Sequence, residues 1–310
     1  MKKLLKKILI FNILFFIFSN NTFTVKASNI TNNNQNEKYN IIMKQDILCL
    51  MMAYGDHIED IKCENNKTYI IMKSGKKILY DDKKQKSFQE KIYNSDIQDM
   101  MEQIYPLETT GKLMDKNFDP GRFRVYSLLE DIYGNTPNEI QKNLKTIHTA
   151  YGTVQFNNKA KGADNLKAVL DELYEKHNNK INSHVSPLNG TFNYRHIAGT
   201  NLLSPHAFGI AIDLVRDNRD YWKWATKKQG EERLASYPKE IVETFEKNNF
   251  VWGGKWNHFD TLHFEYRPEI IMKARYFGNN DKKKEHWYEG APTENKKVKN
   301  YIDKIDKALK

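Results

Sequence analysis

Apolar positions along this chain recur at two spacings, and the change between them separates expected helices from expected strands. Leu166, Val169, Leu170 and Leu173 lie three or four residues apart, one face of a helix over 162–177. Ile241, Val242 and Phe245 mark another over 240–247, and Tyr301, Ile302, Ile305 and Leu309 mark a last one. Helices are also expected over 125–133 and 137–151, the second with Thr136 as N-cap and Pro137 in its first turn. Between 84 and 104, Phe88, Ile92, Ile97, Met100, Met101 and Ile104 suit one or two more. Elsewhere the period drops to two. The runs 67–73 and 77–80 flank Ser74-Gly75 as a hairpin, and 190–196 is a short β-prone run. In 210–214, Ile210, Ile212 and Leu214 share one strand face, Ala211 and Asp213 the other. In 261–266, Thr261, His263 and Glu265 oppose Leu262, Phe264 and Tyr266, after an aromatic and glycine loop from Phe250 to Trp256.

The ends follow neither spacing. Residues 1–7 are a basic head, 8–18 are apolar except for Asn12, and Val25-Lys26-Ala27 resembles a signal-peptidase site, so 1–27 read as a secretory signal. That apolar run is too short to cross a bilayer as a helix, and no other is long enough. The mature chain is therefore expected to be secreted, extracellular or wall-associated, with no stable membrane span. An Asn-rich stretch makes 28–45 an expected flexible linker. Residues 46–120 read as an accessory α/β region, 121–278 as the domain carrying the chemistry, and 279–310 as a basic helical tail with a solvated face.

Charge and cysteines narrow the partners. Losing Lys2, Lys3, Lys6, Lys7 and Lys26 takes the formal net charge from +10 to about +5. A mild positive excess suits an anionic surface such as a bacterial wall. Scattered basic residues without a recognition motif argue against nucleic acid. Cys49 and Cys63 are too sparse for a zinc knuckle, and geometry rather than spacing decides whether they pair.

The chemistry gathers in two stretches. Ser204-Pro-His206-Ala-Phe-Gly209-Ile-Ala-Ile-Asp213 is answered about fifty residues later by Asp260-Thr-Leu-His263-Phe-Glu265. His206, Asp213 and His263 form a candidate ligand set for zinc with a fourth position left for water, and Asp260 is placed to act as general base. A carboxylate on a β-branched strand needs a partner, and for Asp213 that partner is either a metal or Arg195 or Arg216. His258 is a rival ligand if Asp260 marks a bend; His196 reads as structural. Arg195 is a candidate for holding a substrate carboxylate or an oxyanion. Arg122 and Arg124 read as ties between the Asp119-Pro-Gly turn and a nearby acid, with an acidic substrate group as the other possibility. Ser204 and Trp256 are candidate substrate contacts, and Trp252 and Trp256 are either groove wall or core. No G-x-S-x-G elbow surrounds Ser204, which argues against a serine hydrolase.

Ser-Pro-His-Ala-Phe-Gly-Ile-Ala-Ile-Asp, Trp-Gly-Gly-Lys-Trp and Asp-Thr-Leu-His-Phe-Glu resemble the D-alanyl-D-alanine carboxypeptidase and L-alanyl-D-glutamate endopeptidase family, LAS-type zinc metallopeptidases that trim peptidoglycan stem peptides. The resemblance covers about 190–268. It implies an α+β fold, a small antiparallel sheet carrying the site with helices around it. It also implies Zn2+ on His206, Asp213 and His263, Asp260 as general base, and Arg195 at the substrate or oxyanion. Relatives that cut D-Ala-D-Ala carry Glu where this chain has Asp260, whereas Asp is usual in the L-Ala-D-Glu branch. The implied activity is thus an L-Ala-D-Glu endopeptidase, with a D-alanyl-D-alanine carboxypeptidase as the alternative. A wall-binding protein without turnover is the reading from another class.

Overall fold

The computed structural model describes residues 35–108, 111–278 and 285–310. The signal peptide expected at 1–27 and the first part of the expected linker lie outside the described residues. Two units divide the chain, Met1–Lys44 and Gln45–Lys310. In the first, residues 35–44 are helical where the linker reading expected flexible chain. Tyr39, Ile42 and Met43 space apolar groups at helical intervals there, and that periodicity outweighs the polar composition before it. The second unit holds 46–120 together with everything that follows, so the region read as accessory shares one unit with the site. Among the described residues no helix is long and apolar enough to cross a membrane.

The second unit is α+β, with three small antiparallel sheets among the described residues. Strands β1 (Ile58–Glu64), β2 (Lys67–Met72) and β3 (Lys77–Leu79) form the first, in the order β1-β2-β3. The hairpin expected about Ser74-Gly75 is β2-β3, with Gly75 at φ +86°. Strand β1 was not legible in the sequence. A bulge between Ile58 and Asp60 breaks its alternation, so its buried residues, Ile58 and Ile61, stand three apart. Helices Phe88–Asn94 and Ile97–Met101 follow, each opened by a capping box, Ser87 with Glu90 and Asp96 with Asp99. Cys49 is buried, Cys63 is exposed, and both are free thiols.

The helix expected through 151 stops early. It runs over Pro137–Asn143, with the Thr136 side chain accepting from the Glu139 N–H as its cap. The chain then turns into β4 (Leu144–Thr149), which pairs with β5 (Gly152–Asn157). Thr146, Ile147, Thr149, Thr153 and Val154 are β-branched and favour strands, and a tight turn at Ala150-Tyr151 sets Ile147 opposite Val154 across the hairpin. Asn157 ends β5 wholly buried. Its amide donates to the carbonyls of Tyr133 and Phe208, each at 3.0 Å, and its backbone N–H donates to Gly209 at 2.8 Å. The hairpin thereby holds the loop that carries His206.

The third sheet carries the candidate site. Strands β6 (Ala211–Asp213), β7 (Phe250–Trp252) and β8 (His263–Tyr266) lie in the order β6-β8-β7. β7 falls within the stretch read as a loop. Three buried residues, Phe250, Val251 and Trp252, drive its pairing with β8, and only Gly253–Lys255 turns as a short 3-10 helix. Helices Gly162–Glu175 and Lys239–Lys247 bury the stripes read from their spacing, and Phe245 stacks on Phe264 of β8 with ring centres 3.9 Å apart. The last helix, Lys296–Ala308, buries Val298, Ile302 and Ile305. Tyr105 ties the earlier region to this sheet: its hydroxyl donates to Glu246 at 2.6 Å and accepts from the Trp252 N–H at 3.0 Å.

Candidate active site

His206 sits in a tight turn between Ser204 and the start of β6. Ala207 donates to the Ser204 carbonyl at 2.8 Å, Gly209 to the His206 carbonyl at 3.0 Å, and the Ser204 hydroxyl accepts from the His206 N–H at 3.3 Å. Gly209 has φ +69°, and a Cβ there would meet the Leu144 side chain at 2.6 Å. Any other residue there would be strained by the positive φ and would have to push the Leu144 side chain aside. The Thr191 carbonyl accepts from His206 Nδ1 at 2.6 Å, which turns Nε2 toward β6. The run 190–196 is therefore not a regular strand: only bridges at Gly190 and His196 remain, because Thr191 turns its carbonyl to the imidazole. His196 is exposed and lies outside the cluster.

Strand register sets the rest. Asp213 on β6 and His263 on β8 are direct cross-strand partners, so their side chains emerge side by side on one face. His263 Nδ1 lies 2.9 Å from Asp213 Oδ1 and 3.3 Å from His206 Nε2, and His206 Nε2 lies 3.2 Å from the same Asp213 oxygen. Arg195 and Arg216, the other partners considered for Asp213, make no ion pair with it. The three donor atoms could hold a metal ion. Their separations fit the edge of about 3.3 Å that a tetrahedron with zinc-ligand bonds of about 2.0–2.1 Å requires.

Electrostatics agrees with a cation at this point. Burial opposes the Asp213 charge, but hydrogen bonds from His206 and His263 outweigh it and hold its carboxyl well below the usual range. Burial likewise opposes charge on His263, yet hydrogen bonds to Asp213 and Glu265 and the charges of Asp213 and Asp260 push it up to about 10. Without a metal, a proton supplies the positive charge that these acids demand. Behind His263, Glu265 Oε2 stands 3.9 Å from Nε2 and is gripped by Arg124 at 2.9 and 2.5 Å. Glu265 is wholly buried; burial alone would raise its carboxyl, but the Arg124 charge and hydrogen bonds hold it well below the usual range. The tie read for Arg124 thus runs to an acid 141 positions away, whereas Arg122 ties to Asp119 at 3.0 Å within its own turn.

Asp260 faces the same cleft, of about 370 Å³, from the bend before β8. Its backbone N–H donates to Gly253 at 3.0 Å and its carbonyl accepts from His263 at 3.1 Å, while its carboxylate has no hydrogen-bond partner among the described residues. Burial, aided by the Asp213 and Asp220 charges and countered by His263 and Arg122, pushes the carboxyl up to about 7. Ser204, Arg195 and Trp256 line the cleft too. Ser204 is buried, with its hydroxyl used in the His206 turn. Trp256 is both wall and core: it is 4% exposed, donates from Nε1 to Pro120 at 2.8 Å, and lies 5.8 Å from the His263 ring. Trp252 is core, its Nε1 donating to Thr261 at 2.7 Å. Arg195 is exposed and, among the described residues, has no carboxylate partner. His258 is not in the donor cluster, because its Nδ1 is bound to Asp119 at 2.5 Å. The Arg124–Glu265 pair and this His258–Asp119 pair escaped the sequence reading of the site; the only local signal was that Glu265 shares the His263 strand face.

A His-Asp-His donor set that could hold a metal ion, beside a carboxylate with no hydrogen-bond partner among the described residues, suits hydrolytic chemistry. Residues 198–266, the segment holding all of these donors, match the profile of the D-alanyl-D-alanine carboxypeptidase family, which supports a peptidase of that kind. Comparisons with curated proteins and with solved structures gave no match.

Proposed function

We propose that this protein is a secreted zinc-dependent peptidase of bacterial-wall stem peptides, acting on the L-Ala-D-Glu bond. The observation that carries the reading is the convergence of His206, Asp213 and His263 next to an Asp260 carboxylate with no hydrogen-bond partner among the described residues. His206 Nε2, Asp213 Oδ1 and His263 Nδ1 would hold the zinc. When bound, zinc supplies a Lewis acid that polarises a carbonyl and makes water more acidic. Asp260 accepts the proton of the water that attacks the scissile carbonyl, a role suited to a carboxyl that titrates near neutrality. Arg195 holds a substrate carboxylate at the cleft mouth, and Trp256 and Ser204 wall the groove. The leader, the modest positive charge and the family's substrates support action at an anionic wall outside the cell. A donor set complete with its base favours turnover over a purely wall-binding role.

Aspartate at 260 supports the endopeptidase branch, while the description of the matched family favours a D-alanyl-D-alanine carboxypeptidase as the second reading. Mass spectrometry of L-Ala-D-Glu-diamino acid-D-Ala-D-Ala, incubated with the mature chain with and without a chelator, separates the two. Chelator-sensitive release of L-Ala supports the first reading and loss of one D-Ala the second. No cleavage at either bond in zinc-loaded protein removes both.

A further inference from the structure

Histidines, Asp213 and Asp260 aside, the charged side chains lining the cleft are all cations: Arg122, Arg124, Arg195, Arg216 and Lys223. Arg122 and Arg124 are answered by Asp119 and Glu265. The other three side chains make no ion pair or hydrogen bond among the described residues. Asp213 is shared between His206 and His263, so Asp260 alone is left to oppose three cations. Two of the three stand on one built segment, 216–224. The Arg216 guanidinium lies 4.6 Å over the Trp224 ring, and Lys223 Nζ lies 5.3 Å over Trp222. Trp224 is 55% exposed, and Tyr221 steadies it edge-on at 5.0 Å. The segment is tied to the strand entry that carries Asp260: Tyr221 bridges Asp260, the Trp222 N–H donates to Phe259 at 3.0 Å, and the Thr261 N–H donates to the Asp220 carbonyl at 2.8 Å. Its own acids are spent, Asp217 on Arg219 at 2.8 and 2.7 Å and Asp220 on Arg233 at 2.7 Å. An indole beneath a guanidinium holds its face and leaves the in-plane N–H donors for a carboxylate. An idle surface arginine would account for the stacking, but not for three unanswered cations around one reactive cleft.

We propose that Arg216, seated on Trp224 and seconded by Lys223, forms a subsite that reads the free α-carboxylate of D-Glu in the stem peptide, so that the protein cuts acidic stems and spares those in which this group is a carboxamide. The inference rests on the peptidase reading and names the form of substrate it takes. D-Glu continues the stem through its γ-carboxyl, which leaves the α-carboxylate on the carbon next to the nitrogen of the L-Ala-D-Glu bond. A substrate placed for attack at that bond therefore brings an anion close to the reacting atoms. Arg216 follows Asp213 by three residues, and its segment is bonded to the one holding Asp260, so its guanidinium is fixed relative to both. Arg195 remains for a second carboxylate of the stem. Amidation of D-Glu would then act as a substrate-side switch on cleavage.

The test sets zinc-loaded wild type, Arg216→Gln, Arg216→Lys, Trp224→Leu and Arg195→Gln against three stem peptides of one length: the acid, its D-Glu α-carboxamide and its C-terminal carboxamide. Wild type is expected to lose about 10–100-fold in kcat/KM on the α-carboxamide, chiefly through KM, the size of one charge-assisted contact. Arg216→Gln should show that loss on the acid itself, with the ratio of acid to α-carboxamide near one and zinc content unchanged. Arg216→Lys, a point charge in place of a fork, and Trp224→Leu should keep part of the preference. Lys228→Gln removes the same charge from an exposed site outside the cleft and should leave the ratio at its wild-type value. A wild type that cleaves acid and α-carboxamide within about threefold overturns the subsite and leaves the peptidase reading standing. A preference lost in Arg195→Gln but kept in Arg216→Gln overturns the assignment to Arg216, and a preference against the C-terminal carboxamide alone overturns the choice of the D-Glu carboxylate. A wild type that cleaves none of the three removes the peptidase reading as well.

Discussion

Among the described residues two places in the second unit gather metal-type donors, and they differ in what already sits among them. His206, Asp213 and His263 bring two imidazoles and one carboxylate together, and among the described residues no lysine or arginine pairs with Asp213. Asp81, Asp82 and Asp96 bring three carboxylates together, but the Lys86 ammonium stands 3.3 Å from Asp82, 2.9 Å from Asp96 and 2.6 Å from Asp99. Lys86 occupies the position a cation would take. Burial disfavours its charge, but hydrogen bonds to Asp99 and Asp96 outweigh that and raise its ammonium above the usual range. Clustered donors therefore signal a metal site only where the chain has not provided its own cation.

The largest effects should come from separating the two clusters by substitution. His206→Ala or His263→Ala should remove zinc, measured as metal per chain after dialysis, together with all stem-peptide cleavage. Asp96→Asn should leave zinc at about one per chain. Equal zinc loss from both would end the distinction. Next in size is Asp260→Asn, which should keep the metal and lose about 10²–10⁴-fold in kcat. Activity near wild type would free Asp260 from the role of base.

A pH series sharpens the contrast further. In metal-free protein His263 is pushed up to about 10, and it must shed its proton to become a ligand. Zinc affinity should climb about tenfold per pH unit toward that value, as read by competition with a chromophoric chelator. A histidine raised in the folded state stabilises metal-free protein below its ordinary value near 6.5, and that contribution is lost as pH rises through about 10. Melting of metal-free protein should therefore fall over that window while zinc-loaded protein stays level; parallel curves would contradict the proton-for-metal exchange. Smallest is Lys86→Met, which strands buried carboxylates and should cost about 3 kcal/mol in denaturant unfolding with zinc content unchanged. Zinc gained by that variant at the second cluster would show that Lys86 alone had kept a cation out.

Much of the architecture was legible because its cause is local. The stripe Leu166, Val169, Leu170 and Leu173 is buried as its spacing required, Thr136 caps the helix it was read to cap, and Lys296–Ala308 buries Ile302 and Ile305. Reading failed where a neighbour in space overrode the local pattern. The segment 190–196 gave up its ladder when the Thr191 carbonyl turned to His206, and 144–149 left the helix for a hairpin closed at Thr149 and Gly152.

By itself the sequence determined which donor types exist, which strand face each occupies, and where the strongly periodic helices such as 162–175 and 239–247 lie, because side-chain period and capping depend on residues only a few positions apart. Only the tertiary structure decided that Asp213 stands across from His263, that Arg124 holds Glu265, and that Asp119 grips His258 from 139 positions away. Register and buried charge pairing are settled by which surfaces exclude water together, and no local pattern records that.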